Sequence, residues 1–474
     1  MCVQKDWLGK IQGQEDCLYL NVYTPEILTK TLRPVMVYIH GGGFVEGHGR
    51  YEMFGPEFLI PEGVILVTLH YRLGLFGFLN FENTDVGAFG NMGLKDQNMA
   101  LRWVQKNIEK FGGDRNSVTI FGESAGGGSV HMHMLSPMSQ GLFHKVIAQS
   151  GSALNAWCTN GQKNTGVIAA KALGYKGESE LKMLPFLQGK TTEEIMKIQE
   201  NITAIIPIHE PGLVGPIVED IKDDIAFLPN SIEELIAAKE YQEVPFMLGV
   251  TDEEIIVIDV VSMLTSGKPM EIPREMALMY TLNLKDGNAK AEVLKKIDDF
   301  YFKNADPADR TGTLHLIGDA WIYYGVYKSL LAHSKREHKN LYLYVLSADT
   351  QLNYMKRMHP VTAKYKGASH MDDLGYLFKT KYTPDLKPDS LEATVMQRAV
   401  KLWTNFAKHG NPTPKHEEFS ITWKRVQTGA MNFLNIGNEN LELGINPYSE
   451  RTSFWDKLHE EYADGKTSSS RSEL

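Results

Sequence analysis

Short apolar runs alternate along the chain with longer stretches of helical spacing. The runs that predict strands are Cys17 to Tyr23, Pro34 to His40, Val64 to His70, Ser117 to Gly122, Lys145 to Gln149, Val244 to Val250 and Leu341 to Leu346. Between the third and fourth of these, Leu94, Leu101, Val104, Ile108 and Phe111 recur at helical spacing, and Gly112-Gly113 ends the run. That pattern predicts a crossover helix. Near the C-terminus, Val395, Ala399, Leu402, Trp403 and Phe406 line one helical face before Gly410 and Pro412 stop it. Strand runs separated by helices build an α/β fold, with a mostly parallel mixed sheet flanked by helices on both faces. Two further regions, about Asn160 to Tyr241 and Ile255 to Leu330, are helical in pattern and add no clear strand. Insertions of this kind after strand ends commonly form substrate walls.

Length and composition refine this picture. The 474 residues are expected to form a single domain, 1–474, around one sheet, because α/β folds with helical insertions keep one large core. Only the tail, 464–474, is polar and Ser-rich enough to predict disorder. With 49 basic against 58 acidic side chains the net charge is −9, which gives nucleic acid no electrostatic reason to bind. The most apolar stretch, Gly63 to Phe81, is interrupted by His70 and Arg72, so no membrane span is predicted. No basic-then-apolar leader opens the sequence. As written it reads as cytoplasmic, with the endoplasmic reticulum lumen or secretion as the alternative if a leader precedes Met1. Of three cysteines, Cys2 and Cys17 are placed to close a short loop in an oxidising compartment; three free thiols in a reducing one is the equal alternative.

Chemistry enters at Gly122-Glu123-Ser124-Ala125-Gly126, between the apolar strand Val118 to Phe121 and the run Gly127 to Leu135. Small residues on both sides of Ser124 allow a tight strand-to-helix turn that exposes its hydroxyl, and the amides opening the helix point at a developing oxyanion. Upstream, the strand Val35 to Ile39 runs into His40-Gly41-Gly42-Gly43-Phe44. Gly42 and Gly43 can therefore join the Ala125 amide in an oxyanion hole. This order, a Gly-rich loop ahead of a Gly-x-Ser-x-Gly turn, is that of an α/β-hydrolase. A serine hydroxyl needs a base and an orienting carboxylate, which in this fold follow in the order acid, then histidine. Fifteen histidines are available, so the motif alone does not choose one. Elsewhere, His131-Met132-His133 lacks the partners of a zinc site, since i, i+2 positions on a helix face different ways. Gly41 to Gly49 contains no phosphate loop, and Asn201-Ile202-Thr203 is a glycosylation sequon.

Taken together, the chain resembles the carboxylesterase/cholinesterase family, closest in flavour to insect α-esterases. The matching pieces are Glu15 to Val22, His40 to Phe44, Tyr71 to Gly74, Asn91 to Gln97, Phe111 to Gly127, Gln149 to Ser152, Gly367 to Phe378 and Leu402 to Pro412. The resemblance implies Ser124 as nucleophile, His370 as base, and an acid five residues after Gly249, which is Glu254. The family usually has glycine after the acid and this chain has Ile255, so Asp252 and Glu253 stay open as alternatives. It further implies that Glu123 and Ser150 steady the acid–histidine pair, that Trp157 walls the acyl pocket, and that no metal or organic cofactor takes part. The implied activity is hydrolysis of neutral carboxylic esters, in lipid or xenobiotic metabolism, with a small-molecule ester as partner. A catalytically silent adhesion or binding protein is the alternative from another class; it usually lacks one of the three residues present here. Juvenile-hormone esterases would carry glutamine at Glu123. Trp7 has the spacing from Cys17 of the tryptophan that receives choline in cholinesterases, yet neutral acyl esters are expected to be preferred over choline esters. Relatives carry a longer N-terminal stretch, so the sequence is expected to lack part of it. Oligomeric state is not written in the sequence.

Overall fold

The structure is a computed structural model that describes every residue except 7–8, 28–30, 160, 206–213, 222–224, 240, 280, 283, 285, 304–305, 307–308, 337, 339, 418 and 463–474. Trp7 and the tail lie outside the described residues.

Nine strands form the main sheet: β3 (Leu20–Tyr23), β4 (Arg33–Ile39), β5 (Ile65–Leu69), β6 (Gly113–Glu123), β7 (Lys145–Gln149), β8 (Phe246–Thr251), β9 (Leu341–Leu346), β10 (Asn432–Ile436) and β11 (Leu441–Ile445). Two short strands before them, β1 (Gln4–Lys5) and β2 (Ile11–Gln12), pair as a separate hairpin. In space the order is β11-β10-β9-β8-β7-β6-β4-β5-β3. All neighbours are parallel except the two edge pairs, β3 with β5 and β10 with β11. Strands β5, β7, β8 and β9 are buried at every residue, as parallel strands covered on both faces must be. Helices Ala125–Leu135 and Leu391–His409 both pack on β4 and β6. The second of these is the predicted C-terminal helix; it ends at Gly410, and its Trp403 reaches the sheet to donate to Gln149 Oε1 at 3.1 Å.

All seven predicted strands are present, with ends shifted by a few residues, and the predicted crossover helix runs Met92–Asn107 with a tighter turn to Phe111. The described parts of the two helical insertions carry no strand; β8 lies between them. Not predicted were β1, β2, β10 and β11. The first two are two residues long, β10 carries polar Asn432 and Asn435, and β11 contains Gly444 and faces solvent, so none presents an apolar run. Cys2 and Cys17 are disulfide-bonded, which ties the hairpin to the start of β3, and Cys158 is a buried free thiol. No helix of the described residues is long and apolar enough to cross a membrane.

His131 and His133 diverge as their spacing requires, and both are fully buried. The Ala153 amide donates to His131 Nδ1 at 3.1 Å, so the proton sits on Nε2, which donates to His333 Nε2 at 2.9 Å. His333 in turn gives its Nδ1–H to Tyr241 Oη at 3.1 Å. His133 bridges Ser139 Oγ at 2.8 Å and Gln97 Oε1 at 3.0 Å. Burial lowers the pKa of His131 and of His133 from 6.5 to about 3, and that of His333 also falls well below its ordinary value. Below pH 6.5 the unfolded chain takes up protons that these folded imidazoles refuse. Stability is therefore complete above the unfolded pKa and falls with falling pH, by up to about 1.4 kcal/mol per pH unit for each histidine. Urea unfolding between pH 7 and pH 5 should show this decline, and His133→Gln, which keeps a hydrogen-bonding side chain but does not titrate, should flatten it. An unchanged slope in the variant contradicts the assignment.

Candidate active site

The candidate residues sit at or after the C-terminal ends of parallel strands, the edge where α/β sheets place their ligands. The Gly-rich loop follows β4, Ser124 follows β6, Ser150 follows β7, Glu254 follows β8 and His370 lies on the long connection after β9.

Ser124 joins β6 directly to the helix Ala125–Leu135 at φ 58° and ψ −122°, a region that L side chains avoid. The turn is held by Ser124 N donating to Gln149 O at 2.8 Å and by Gly128 N donating to Ser124 O at 2.9 Å. Gly126 must be glycine, because a Cβ there would collide with the Ile39 carbonyl. Across the turn, Gly42 has φ 101° and its carbonyl accepts from the Val45 and Glu46 amides, both at 3.0 Å. Among the described residues the Gly42 and Gly43 amides have no hydrogen-bond partner. The Ala125 amide opens its helix and has no acceptor within it. The point beside Gly41 where a Cβ would stand is 2.9 Å from both Ser124 Cβ and Glu123 Oε2, which shows how closely the Gly-rich loop covers the serine turn.

The three adjacent acids take three different partners. Glu254 Oε2 lies 2.7 Å from His370 Nδ1, while its Oε1 accepts the Thr251 amide at 2.8 Å. Glu253 turns away to His315 Nε2 at 3.1 Å, and Asp252 accepts the Ala368 amide at 2.6 Å. The backbone repeats this registration, since His370 N donates to Glu254 O and Glu253 N to Ala368 O, both at 3.0 Å. Ile255, where the resemblance expects glycine, sits buried at φ −88° and ψ 0°, which does not call for glycine.

His370 Nε2 lies 3.0 Å from Glu123 Oε1, off the line of its N–H. Burial opposes protonation of this imidazole, but Glu123 and Glu254 outweigh it and hold its pKa well above 6.5. Behind Glu123, burial and then the Glu123 charge push Asp373 up to about 7; its carboxylate accepts from Gln149 Nε2 at 2.7 Å and Tyr344 Oη at 3.0 Å. Among the described residues no hydrogen bond joins Ser124 Oγ to His370. The imidazole is turned toward Glu123 instead, and such catalytic contacts often close only once substrate is bound. Ser150 Oγ is buried without a hydrogen-bond partner among the described residues, and Trp157 is half-buried with its Nε1 donating to Trp321 O at 2.6 Å.

A cavity of about 360 Å³ opens beside Glu123, Gly41 and Gly42. Met53, Phe54, Tyr354, Met355, Met358, Met371, Leu374 and Tyr382 give it apolar walls, and Asp6, Glu46 and Lys381 supply its charged points. Sequence reasoning named none of these walls, because they come from four separated segments.

A serine turn between strand and helix, with a carboxylate–histidine pair on later loops of the same sheet edge, defines an α/β-hydrolase. The family model that matches, over residues 1–455, is that of the carboxylesterase family; the chain belongs to this family and is a carboxylic-ester hydrolase. It is 34% identical to juvenile hormone esterase of Tribolium castaneum, over 96% of this chain and 83% of that one. It is 31% identical to esterase B1 of Culex pipiens, over 95% and 85%, and 35% identical to carboxylesterase 1E of Rattus norvegicus, over 89% and 75%. Among solved structures it is similar to juvenile hormone esterase from Manduca sexta with OTFP covalently attached, at TM-score 0.83 and 25% identity, over 97% of this chain and 88% of that one.

The conformation of Ser124 makes a separable prediction about stability. Glycine tolerates this backbone and alanine does not, so Ser124→Gly should be more stable than Ser124→Ala by about 1 kcal/mol or more in urea unfolding. Equal stabilities would mean that the turn is unstrained.

Proposed function

We propose that the chain hydrolyses neutral carboxylic esters through an acyl-enzyme formed on Ser124, in lipid or xenobiotic ester metabolism. The observation that carries this reading is the 2.7 Å contact between Glu254 and His370 on the same sheet edge as the strained Ser124 turn. Ser124 Oγ attacks the ester carbonyl, and its proton passes to His370 Nε2. The amides of Gly42, Gly43 and Ala125 receive the oxyanion, and Glu254 stabilises the imidazolium through Nδ1. Collapse of the intermediate breaks the carbon–oxygen bond of the ester as His370 returns its proton to the leaving alkoxide. Water repeats the sequence and releases the acid.

The apolar cavity beside Glu123 suits an uncharged group of the ester. A solved relative with a covalently attached small molecule is consistent with a nucleophile in this site. Juvenile hormone esterases are among the relatives, so juvenile hormone is the specific alternative substrate to assay. Glu123 argues against it, because the juvenile-hormone pattern has glutamine there.

On a short-chain aryl ester, Ser124→Ala should lower turnover by about a million-fold, as expected when members of a catalytic unit are removed. Glu254→Gln should lose several orders of magnitude and Glu253→Gln little, since only Glu254 meets His370. The reverse ranking would refute the acid assignment.

The base must be neutral to accept a proton, so activity is lost as pH falls through the His370 pKa. Because that pKa is raised, the acidic limb of kcat/KM should have its midpoint above 6.5. Glu123→Gln removes one of the two carboxylates and should move the limb to lower pH. A limb that stays in place or moves upward contradicts the electrostatic account.

A further inference from the structure

We infer that Lys356 is a positioning residue for His370, acting through the backbone of the loop that carries it. The inference rests on the reading of His370 as the base.

Lys356 follows β9 on the short turn Lys356–Met358, and its side chain is 0% exposed. A buried ammonium demands partners for three N–H groups, and this one has three acceptors. They are Gly367 O at 2.6 Å, Tyr365 O at 2.7 Å and Asp349 Oδ2 at 2.6 Å. Two of the three are main-chain carbonyls just before His370, so the ammonium fixes the path of the loop rather than a neighbouring side chain. Asp349 is itself held by Arg357 Nη2 at 2.8 Å.

The rest of the loop is gripped in the same way. Asp252 takes the Ala368 amide, and Asp372 takes the Ser369 amide at 2.7 Å and the Met355 amide at 2.8 Å. Glu254 O takes the His370 amide. The loop thus runs over two carboxylates with a single ammonium between them and Asp349. Burial drives Asp252 and Asp372 up to about 7, and Lys356 is among the groups that oppose this rise. Nothing else among these contacts holds the carbonyls of Tyr365 and Gly367, the two points from which the chain turns toward Glu254. Without Lys356 the part-buried carbonyls of Tyr365 and Gly367 lose their donor and Asp349 keeps only Arg357, the loop relaxes, and the 2.7 Å contact between His370 and Glu254 opens.

The test compares Lys356→Met, Lys356→Arg and His370→Ala in the full chain, reading kcat per folded molecule, KM, and the His370 pKa by NMR. Lys356→Met is expected to lower kcat by about a hundred-fold, the effect of an ångström-scale misplacement, with KM changed little. Its His370 pKa should fall toward 6.5 as the Glu254 contact is lost, which a purely structural lysine would not cause. Lys356→Arg keeps the charge and serves if the methionine variant does not fold. Its planar guanidinium is larger than the compact ammonium that meets these three acceptors, so a smaller loss in the same direction is expected. Folded variants that melt earlier but keep the parental kcat and His370 pKa, beside an inactive His370→Ala, would overturn the inference alone. Parental turnover in His370→Ala would overturn the base assignment and the inference with it.

Discussion

The backbone of Ser124 is the constraint around which the site is arranged. At φ 58° and ψ −122° it sits where a side chain costs about 1–3 kcal/mol, and it is kept there by packing on both sides. From β7, the Gln149 carbonyl holds its amide; from β4, the Ile39 carbonyl presses so close to Gly126 that no side chain fits. Parallel pairing fixes both neighbours, because β4 and β7 flank β6 in register up to Ile39 opposite Gly122 and Gln149 opposite Glu123. A shift in either pair would release the turn. The strongly buried centre of the sheet therefore supports the turn directly: its rigidity is what keeps an unfavourable conformation in place.

Charge is arranged with the same dependence on burial. The imidazole of His370 stands between two carboxylates, and behind them Asp373 is pushed up to about 7 by burial and by Glu123. Glu254 has one partner on each oxygen, whereas Glu123 approaches Nε2 without a well-aligned hydrogen bond. The two carboxylates are consequently unequal. Glu254, bonded at Nδ1, orients the ring, and Glu123 lies 3.0 Å from Nε2, the nitrogen that the proposed mechanism assigns to Ser124. Under the proposed mechanism, such a site trades readiness at low pH for a stabilised imidazolium.

What the sequence made legible follows from which signals are local. Seven strands were readable because each is a continuous apolar run bounded by turn residues, and the Ser124 turn because its steric demands are written in five consecutive residues. The resemblance pointed to Glu254 by its offset from Gly249, but nothing local separated it from Asp252 and Glu253. In the fold the trio 252–254 diverges to Ala368, His315 and His370. Lys356 left no local signal, since its acceptors are carbonyls nine and eleven residues on and any residue type supplies a carbonyl. The His131–His333 pair spans 202 positions and was equally invisible, although the spacing of His131 and His133 did show that those two would not share a partner. Strands β10 and β11 were missed because β10 alternates buried with half-buried positions and β11, at the sheet edge, faces solvent, so neither carries an apolar run.

The central claim is that Ser124, half-buried at this turn, is activated by the turn and by the Glu254–His370 pair. Reaction of the folded protein with a fluorophosphonate, followed by peptide mapping, tests it most directly. The account predicts stoichiometric modification of Ser124, abolished by unfolding the protein beforehand. Failure to label, or labelling at another residue while Ser124 stays free, would contradict it.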